Sequence, residues 1–157
     1  MLARALAEAY PTVRLTTPAP DAARLLAERK LPGLIVVDDH DHPTAVLPGS
    51  QVLRRIIPGY VQDDPALARV MDEDSADHLL DAITGQTVAD ILPKDPKTQL
   101  PVVQADATAI EIAALMARMR SPIVAVVEDD SPTASLIGAV SVAHLLELLL
   151  PSGHQRP

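Results

Sequence analysis

The sequence predicts a mixed α/β (α+β) chain of two tandem β-α-β-β-α repeats with a helical linker between them. Three observations carry this expectation. Shifted by about 90 residues, the segment from Val13 lies over the segment from Val103 without a gap. Identities fall at Val13/Val103, Ala23/Ala113, Leu25/Leu115, Ala27/Ala117, Pro32/Pro122, Val36/Val126, Val37/Val127 and Asp39/Asp129, where chance in an Ala- and Leu-rich chain gives about two or three. Each copy also carries a continuous apolar run of β-formers right after a proline, Leu34–Val37 and Ile123–Val127, as strands covered on both faces do. Finally, 48% hydrophobic against 22% charged residues allows a sizeable core and argues against bulk disorder.

Each repeat opens with a short strand, Val13–Leu15 or Val102–Gln104. A helix follows in which Ala22, Leu25, Leu26 and Arg29, or Ile112, Leu115, Met116 and Met119, recur at helical spacing. Asp21 and Glu111 sit in the first turn, where the helix dipole favours them. The buried strand comes next, then an acidic turn, DDHDHP in one copy and EDDSPT in the other. A returning strand follows, Thr44–Leu47 or Leu136–Val140. The last helix starts near Ser50 or Ser141 and ends at Pro58 or Pro151. The expected divisions are 1–58 for the first repeat with an N-terminal helix over MLARALAEAY, 59–86 for the linker, 87–151 for the second repeat and 152–157 for a mobile tail. In the linker, ALARVMDEDSADHLLDAI reads as two short helices, the second capped by Ser75, and TVADILP as a further helical turn.

Composition excludes several function classes. No cysteine means no disulfide, thiolate metal site or cysteine nucleophile. A net charge of −8 argues against nucleic acid or an anionic membrane as the main partner. Tyr10 and Tyr60 are the only aromatics, too few to stack single-stranded bases. The N-terminus lacks the features of a secretory signal, and the apolar run Leu148–Leu150 is far too short to span a membrane, so a cytoplasmic protein is expected. Fifteen prolines, abundant alanine and Arg in preference to Lys suit the coding bias of a GC-rich bacterium. No P-loop, GxGxxG or nucleophile elbow is present, and no enzyme is expected. Asp38, Asp39, His40, Asp41 and His42 could in principle ligate a divalent ion, but a short acidic hairpin turn is expected to be solvated and metal-free. Asp63–Asp64 and Asp72–Glu73–Asp74 are expected to hydrate the linker surface.

The motifs LPGLIVVDD with AVLPGSQVL, and SPIVAVVEDD with GAVSVAHLL, resemble those of the cystathionine-β-synthase (CBS) domain. Two in tandem resemble a CBS pair, or Bateman module, over about Thr12–Ile57 and Thr87–Leu150. The resemblance implies a pseudo-twofold pair of small sheets with helices outside and two clefts between the repeats. It implies adenosine-type ligands in such clefts (AMP, ADP, ATP, S-adenosylmethionine, sometimes NAD), with no cofactor required, and frequent homodimers. With no catalytic or transport domain in this chain, it implies a free-standing module that signals to a separate protein partner, an enzyme or a transporter.

The family pattern Gly-hydrophobic-x-Thr/Ser-x-x-Asp/Asn sets a hydroxyl and a ribose acceptor one turn apart at a helix start. In the second repeat Gly138, Ala139, Val140 and Ser141 fit, and His144 takes the acidic place. In the first repeat Ala45, Pro48 and Gln51 replace glycine, hydroxyl and acid, and Pro48 offers neither hydroxyl nor N–H. The expected nucleotide lining is therefore Gln104, Ala105, Arg120, Pro122, Ile123, Ser141 and His144, with Arg120 on phosphate. A weaker second cleft is expected at Lys30, Pro32, Gly33 and Gln51. The competing reading has Ser141 only capping its helix, His144 solvated, and the module acting as a dimerisation or docking scaffold through its leucine-rich last helix.

Overall fold

A computed structural model of the chain contains two three-stranded sheets, one from each repeat. The structure describes residues 1–70, 78–94 and 100–151, so the Ser75 cap, Asp72–Glu73–Asp74 and the tail 152–157 lie outside the described residues. The first half runs α1 (Ala3–Leu6), β1 (Thr12–Arg14), α2 (Ala19–Arg29), β2 (Gly33–Val37), β3 (Pro43–Pro48) and α3 (Gly49–Ile56). Next come α4 (Gly59–Asp63), two 3-10 turns (Pro65–Val70 and Leu79–Ile83) and α5 (Val88–Ile91). The second half runs β4 (Val102–Gln104), α6 (Ala109–Met119), β5 (Ile123–Val127), β6 (Leu136–Ser141) and α7 (Val142–Leu149).

In both sheets the middle strand is the buried apolar run. β1 lies parallel to β2 and β3 antiparallel to it; β4, β5 and β6 repeat that order. Every residue of β2 and of β5 is buried, which is why neither strand alternates in polarity. Leu34 and Val36 face the helices of their own repeat, as do Val124 and Val126. Ile35 and Val37 face Ile123 and Ala125, so the two sheets meet through a shared aliphatic layer. Tyr10 and Leu136 pack at its edge.

The helices end where the duplication places basic residues. α2 stops at Lys30 and α6 at Arg120, both in the left-handed region with φ of 53° and 52°. The Leu31 and Ser121 N–H groups then reach back to the Leu26 and Met116 carbonyls at 3.1 and 3.2 Å. This is a helix stop that glycine would make without cost. Pro32 and Pro122 follow and turn the chain into the buried strand.

Each repeat completes the core of the other. Ala3 and Leu6 of α1 are buried with Ile112, Met116 and Val140 of the second repeat. Val88 and Ile91 of α5 are buried with Ala22, Leu34 and Val52 of the first. The backbone contacts match: the Ala3 and Arg4 N–H groups donate to the Ala107 and Ala105 carbonyls at 2.7 and 2.9 Å. Those of Val88 and Ala89 donate to the Thr17 and Leu15 carbonyls at 2.9 and 3.0 Å. Through this exchange the core of each repeat depends on a segment of the other.

Two local expectations change. The N-terminal helix is a single turn, because Ala7 turns extended and the Glu8 N–H and carbonyl pair with the carbonyl and N–H of Ala139, both at 2.9 Å. The described parts of the two expected linker helices are 3-10 turns; each is too short to repay helix nucleation by itself. α5 is held by a capping box, in which the Asp90 carboxylate accepts from the Thr87 N–H at 2.9 Å and Thr87 Oγ1 caps the N3 backbone.

Candidate ligand-binding cleft

The Ala7–Pro11 strap leaves α1, crosses the free edge of β6 and enters β1. It approaches closely because residue 138 is glycine: a Cβ there would lie 2.5 Å from the Glu8 carbonyl oxygen. Further along, Tyr10 turns inward and its hydroxyl donates to the Gly33 carbonyl at 2.6 Å. Burial between the sheets pushes that phenol up to about 12.

Beside the strap lies an open cleft of about 640 Å³ with walls from both repeats. Arg29, Lys30 and Pro32 come from the first, Pro122, Ser141 and Leu146 from the second, and Glu8 and Tyr10 from the strap. Its volume falls within the range that encloses nucleotide-sized ligands. The wall is mostly apolar and carries two cations, Arg29 and Lys30, and one carboxylate, Glu8. Arg29 and Lys30 are exposed and form no ion pair among the described residues. Ser141 caps α7, its Oγ accepting the His144 N–H at 3.2 Å.

The structure regroups the residues named from sequence. Pro122 and Ser141 stand in one cleft with Lys30 and Pro32, so the cations that share the cleft with Ser141 come from the opposite repeat. Arg120 instead borders an apolar groove between α6 and α7, with Pro122 at the boundary of the two. Ile123 is fully buried in the inter-sheet layer, and Ala105 is buried beneath α1 with its carbonyl accepting from Arg4. Gln104 ends exposed at the tip of β4. Gly33 is buried and holds Tyr10, and Gln51 Nε2 donates to the Ile91 carbonyl at 2.9 Å. His144 lies behind the strap, its Nδ1 3.3 Å from Glu8 Oε1 and 3.7 Å from Glu147 Oε2.

Sequence reasoning missed Glu8, Tyr10 and Arg29. The first two were hidden by the expectation of a helix over residues 1–10. Tyr10 did leave a signal: shifted by about 90 residues it falls on Leu100, and both pack in the inter-sheet layer.

The acidic turn is built as a turn. Asp38 Oδ1 accepts from the His40 and His42 N–H groups at 2.8 and 3.0 Å. These contacts, that of His42 foremost, hold the Asp38 carboxyl below its ordinary value. His42 Nδ1–H donates to the Ala134 carbonyl at 2.6 Å and ties the hairpin loops of the two repeats together. Arg14 pairs with Asp39 and Asp41 at 3.1 and 3.4 Å. Among the described residues, no group of three or more His, Asp or Glu side chains is placed to hold a metal ion, and no helix is long and apolar enough to cross a membrane.

The comparisons with known proteins agree with this architecture. The family model for the CBS domain matches residues 4–57 and 88–151. No curated protein matches the chain. Among solved structures, a CBS domain-containing protein of unknown function from Kribbella flavida is 50% identical. The match covers 96% of this chain and 99% of that one, with a TM-score of 0.82. CBSX2 from Arabidopsis thaliana is 20% identical with a TM-score of 0.70, covering 94% of this chain and 92% of that one. A structure of CBSX2 in complex with AMP is 21% identical with a TM-score of 0.64, covering 94% of each chain. With the family model on both repeats and the duplicated sheets on the page, the chain belongs to the CBS domain family, as a tandem pair.

Proposed function

We propose that this CBS pair is a cytoplasmic regulatory module that takes an adenosine-type nucleotide in the inter-repeat cleft and passes the binding event to a separate protein partner. The observation that carries the reading is the open 640 Å³ cleft at Ser141, walled by both repeats. Pro32, Pro122 and Leu146 offer an apolar bed for a base, and Arg29 and Lys30 offer two cations to phosphate. The CBSX2 complex with AMP supports this ligand class for the fold. A ligand touching both walls binds one relative placement of the repeats better than another, and only that difference can drive a signal.

A thermal-shift panel of AMP, ADP, ATP, S-adenosylmethionine and NAD, followed by calorimetry on any hit, tests the proposal. A ligand at 100 times its Kd adds about 2.7 kcal/mol of stability. Loss of the shift on Lys30→Ala or Ser141→Ala locates the site, and silence at millimolar ligand rejects the proposal.

The scaffold reading has its own support. α2 and α3 frame an apolar groove of about 390 Å³ with Leu53 and Leu80, and α6 and α7 frame one of about 440 Å³ with Leu146 and Leu149. Leu53, Leu146, Leu149 and Leu150 are exposed. These faces suit a homodimer, which sedimentation of the protein with and without nucleotide checks directly.

A further inference from the structure

Resting on that nucleotide reading, we infer that Glu8, brought to the cleft by the strap and positioned by His144, accepts the vicinal hydroxyls of the ligand's ribose. α7 presents an imidazole at residue 144, and one imidazole nitrogen meets one hydroxyl. Two adjacent hydroxyls call for an acceptor with several lone pairs, which a carboxylate supplies. Among the described residues, Glu8 is the one Asp or Glu side chain lining the cleft. Its Oε1 stands 3.3 Å from His144 Nδ1, and its Oε2 has no partner among the described residues. The side chain is 60% exposed. Its backbone is fixed independently, by the paired Glu8 and Ala139 N–H and carbonyl groups and by the missing Cβ at Gly138. A substitution at the Glu8 side chain therefore leaves the strap in place. His144 is a positioning residue in this inference: its Nδ1 faces Oε1 at 3.3 Å, which leaves Oε2 for the ligand. The carboxylate that α7 lacks is thus recovered from a segment distant in sequence.

The test is calorimetric titration of the full chain with AMP, ADP and ATP and with the 2′,3′-dideoxy analogue of AMP. Unmodified protein is expected to favour AMP over the dideoxy analogue by about tenfold or more, as hydrogen bonds to a charged acceptor do. Glu8→Ala is expected to lose that preference and bind both alike. Glu8→Asp, which keeps a carboxylate on the strap at the cleft, is expected to retain it. Unchanged preference in Glu8→Ala overturns the inference and leaves the sensor standing. Equal weakening of both nucleotides in Glu8→Ala and Glu8→Asp means that Glu8 only shapes the strap, which also overturns it. Failure of AMP, ADP, ATP, S-adenosylmethionine and NAD alike to bind unmodified protein removes the nucleotide reading and this inference with it.

Discussion

The two strand-to-helix junctions of the duplicated unit share a backbone and differ in chemistry. β6 enters α7 through Ser141, which caps the helix; β3 enters α3 through Pro48, which cannot. Gly138 lets the strap lie against β6, whereas Ala45 carries a Cβ at the matching place in β3. His144 reaches out to Glu8 on the strap, while Gln51 is bound to Ile91 within its own core. Equivalent positions thus serve a cleft in one repeat and internal packing in the other. Positions in the layer between the sheets trade volume across the duplication, Ile35 for Ala125 and Tyr10 for Leu100, because the layer is filled by both repeats together. Junction residues lie outside that layer and diverge in polarity, Ser141 for Pro48 and His144 for Gln51, without its packing constraint.

The largest expected effects test how far the repeats depend on each other. Leu6 and Ile91 are fully buried, each in the core of the opposite repeat. Leu6→Ala and Ile91→Ala should each cost about 2–5 kcal/mol in denaturant unfolding and still give one transition. Two separate transitions in either variant would break the comparison, since the repeats would then be independent folding units.

The next test contrasts the glycines. Gly138→Ala places a Cβ 2.5 Å from the Glu8 carbonyl, so the strap must shift and its two backbone bonds weaken. We expect a loss of about 1–3 kcal/mol. Ala45→Gly should cost no more than about 0.5–1 kcal/mol, the ordinary price of glycine in a strand. Equal effects at the two sites would mean that the strap does not depend on Gly138.

Smaller still is a pH effect at the strap. The Tyr10 phenol, pushed up to about 12 by burial, resists ionisation in the folded chain, while the unfolded chain ionises near 10. Its contribution is whole below pH 10 and is lost as pH rises from 10 to about 12. Tyr10→Phe should remove that slope and, at neutral pH, cost about 1 kcal/mol through the unpaired Gly33 carbonyl. In the other repeat the matching residue is Leu100, so Leu100→Ala should leave the alkaline slope unchanged.

The fold was legible because its signals are repeated and local. Leu34–Val37 and Ile123–Val127 declare a buried strand by composition alone, and proline before each fixes where it starts. The exchange of α1 and α5 was not legible, because a four-residue helix carries no periodicity that names its partner. The candidate cleft was half legible. Ser141, Pro122, Lys30 and Pro32 were named, but as members of two sites. A sequence alignment of the repeats pairs Lys30 with Arg120, whereas the fold puts Lys30 in one cleft with Ser141 and Arg120 at a helical groove. Only the three-dimensional crossing of the repeats makes that assignment.

The smallest effect sharpens the junction comparison most. Ser141→Ala removes the Oγ that accepts the His144 N–H and should cost about 1 kcal/mol. Pro48→Ala removes no cap, and its cost of roughly 0.4–1 kcal/mol comes from the freer unfolded chain. The two can match in stability and still differ in kind. Ser141→Ala should also weaken nucleotide binding in calorimetry, whereas Pro48→Ala should not, because Pro48 does not line the cleft. A matching loss of binding in Pro48→Ala would show the first junction to be a ligand site too, and the asymmetry between the repeats would be one of degree.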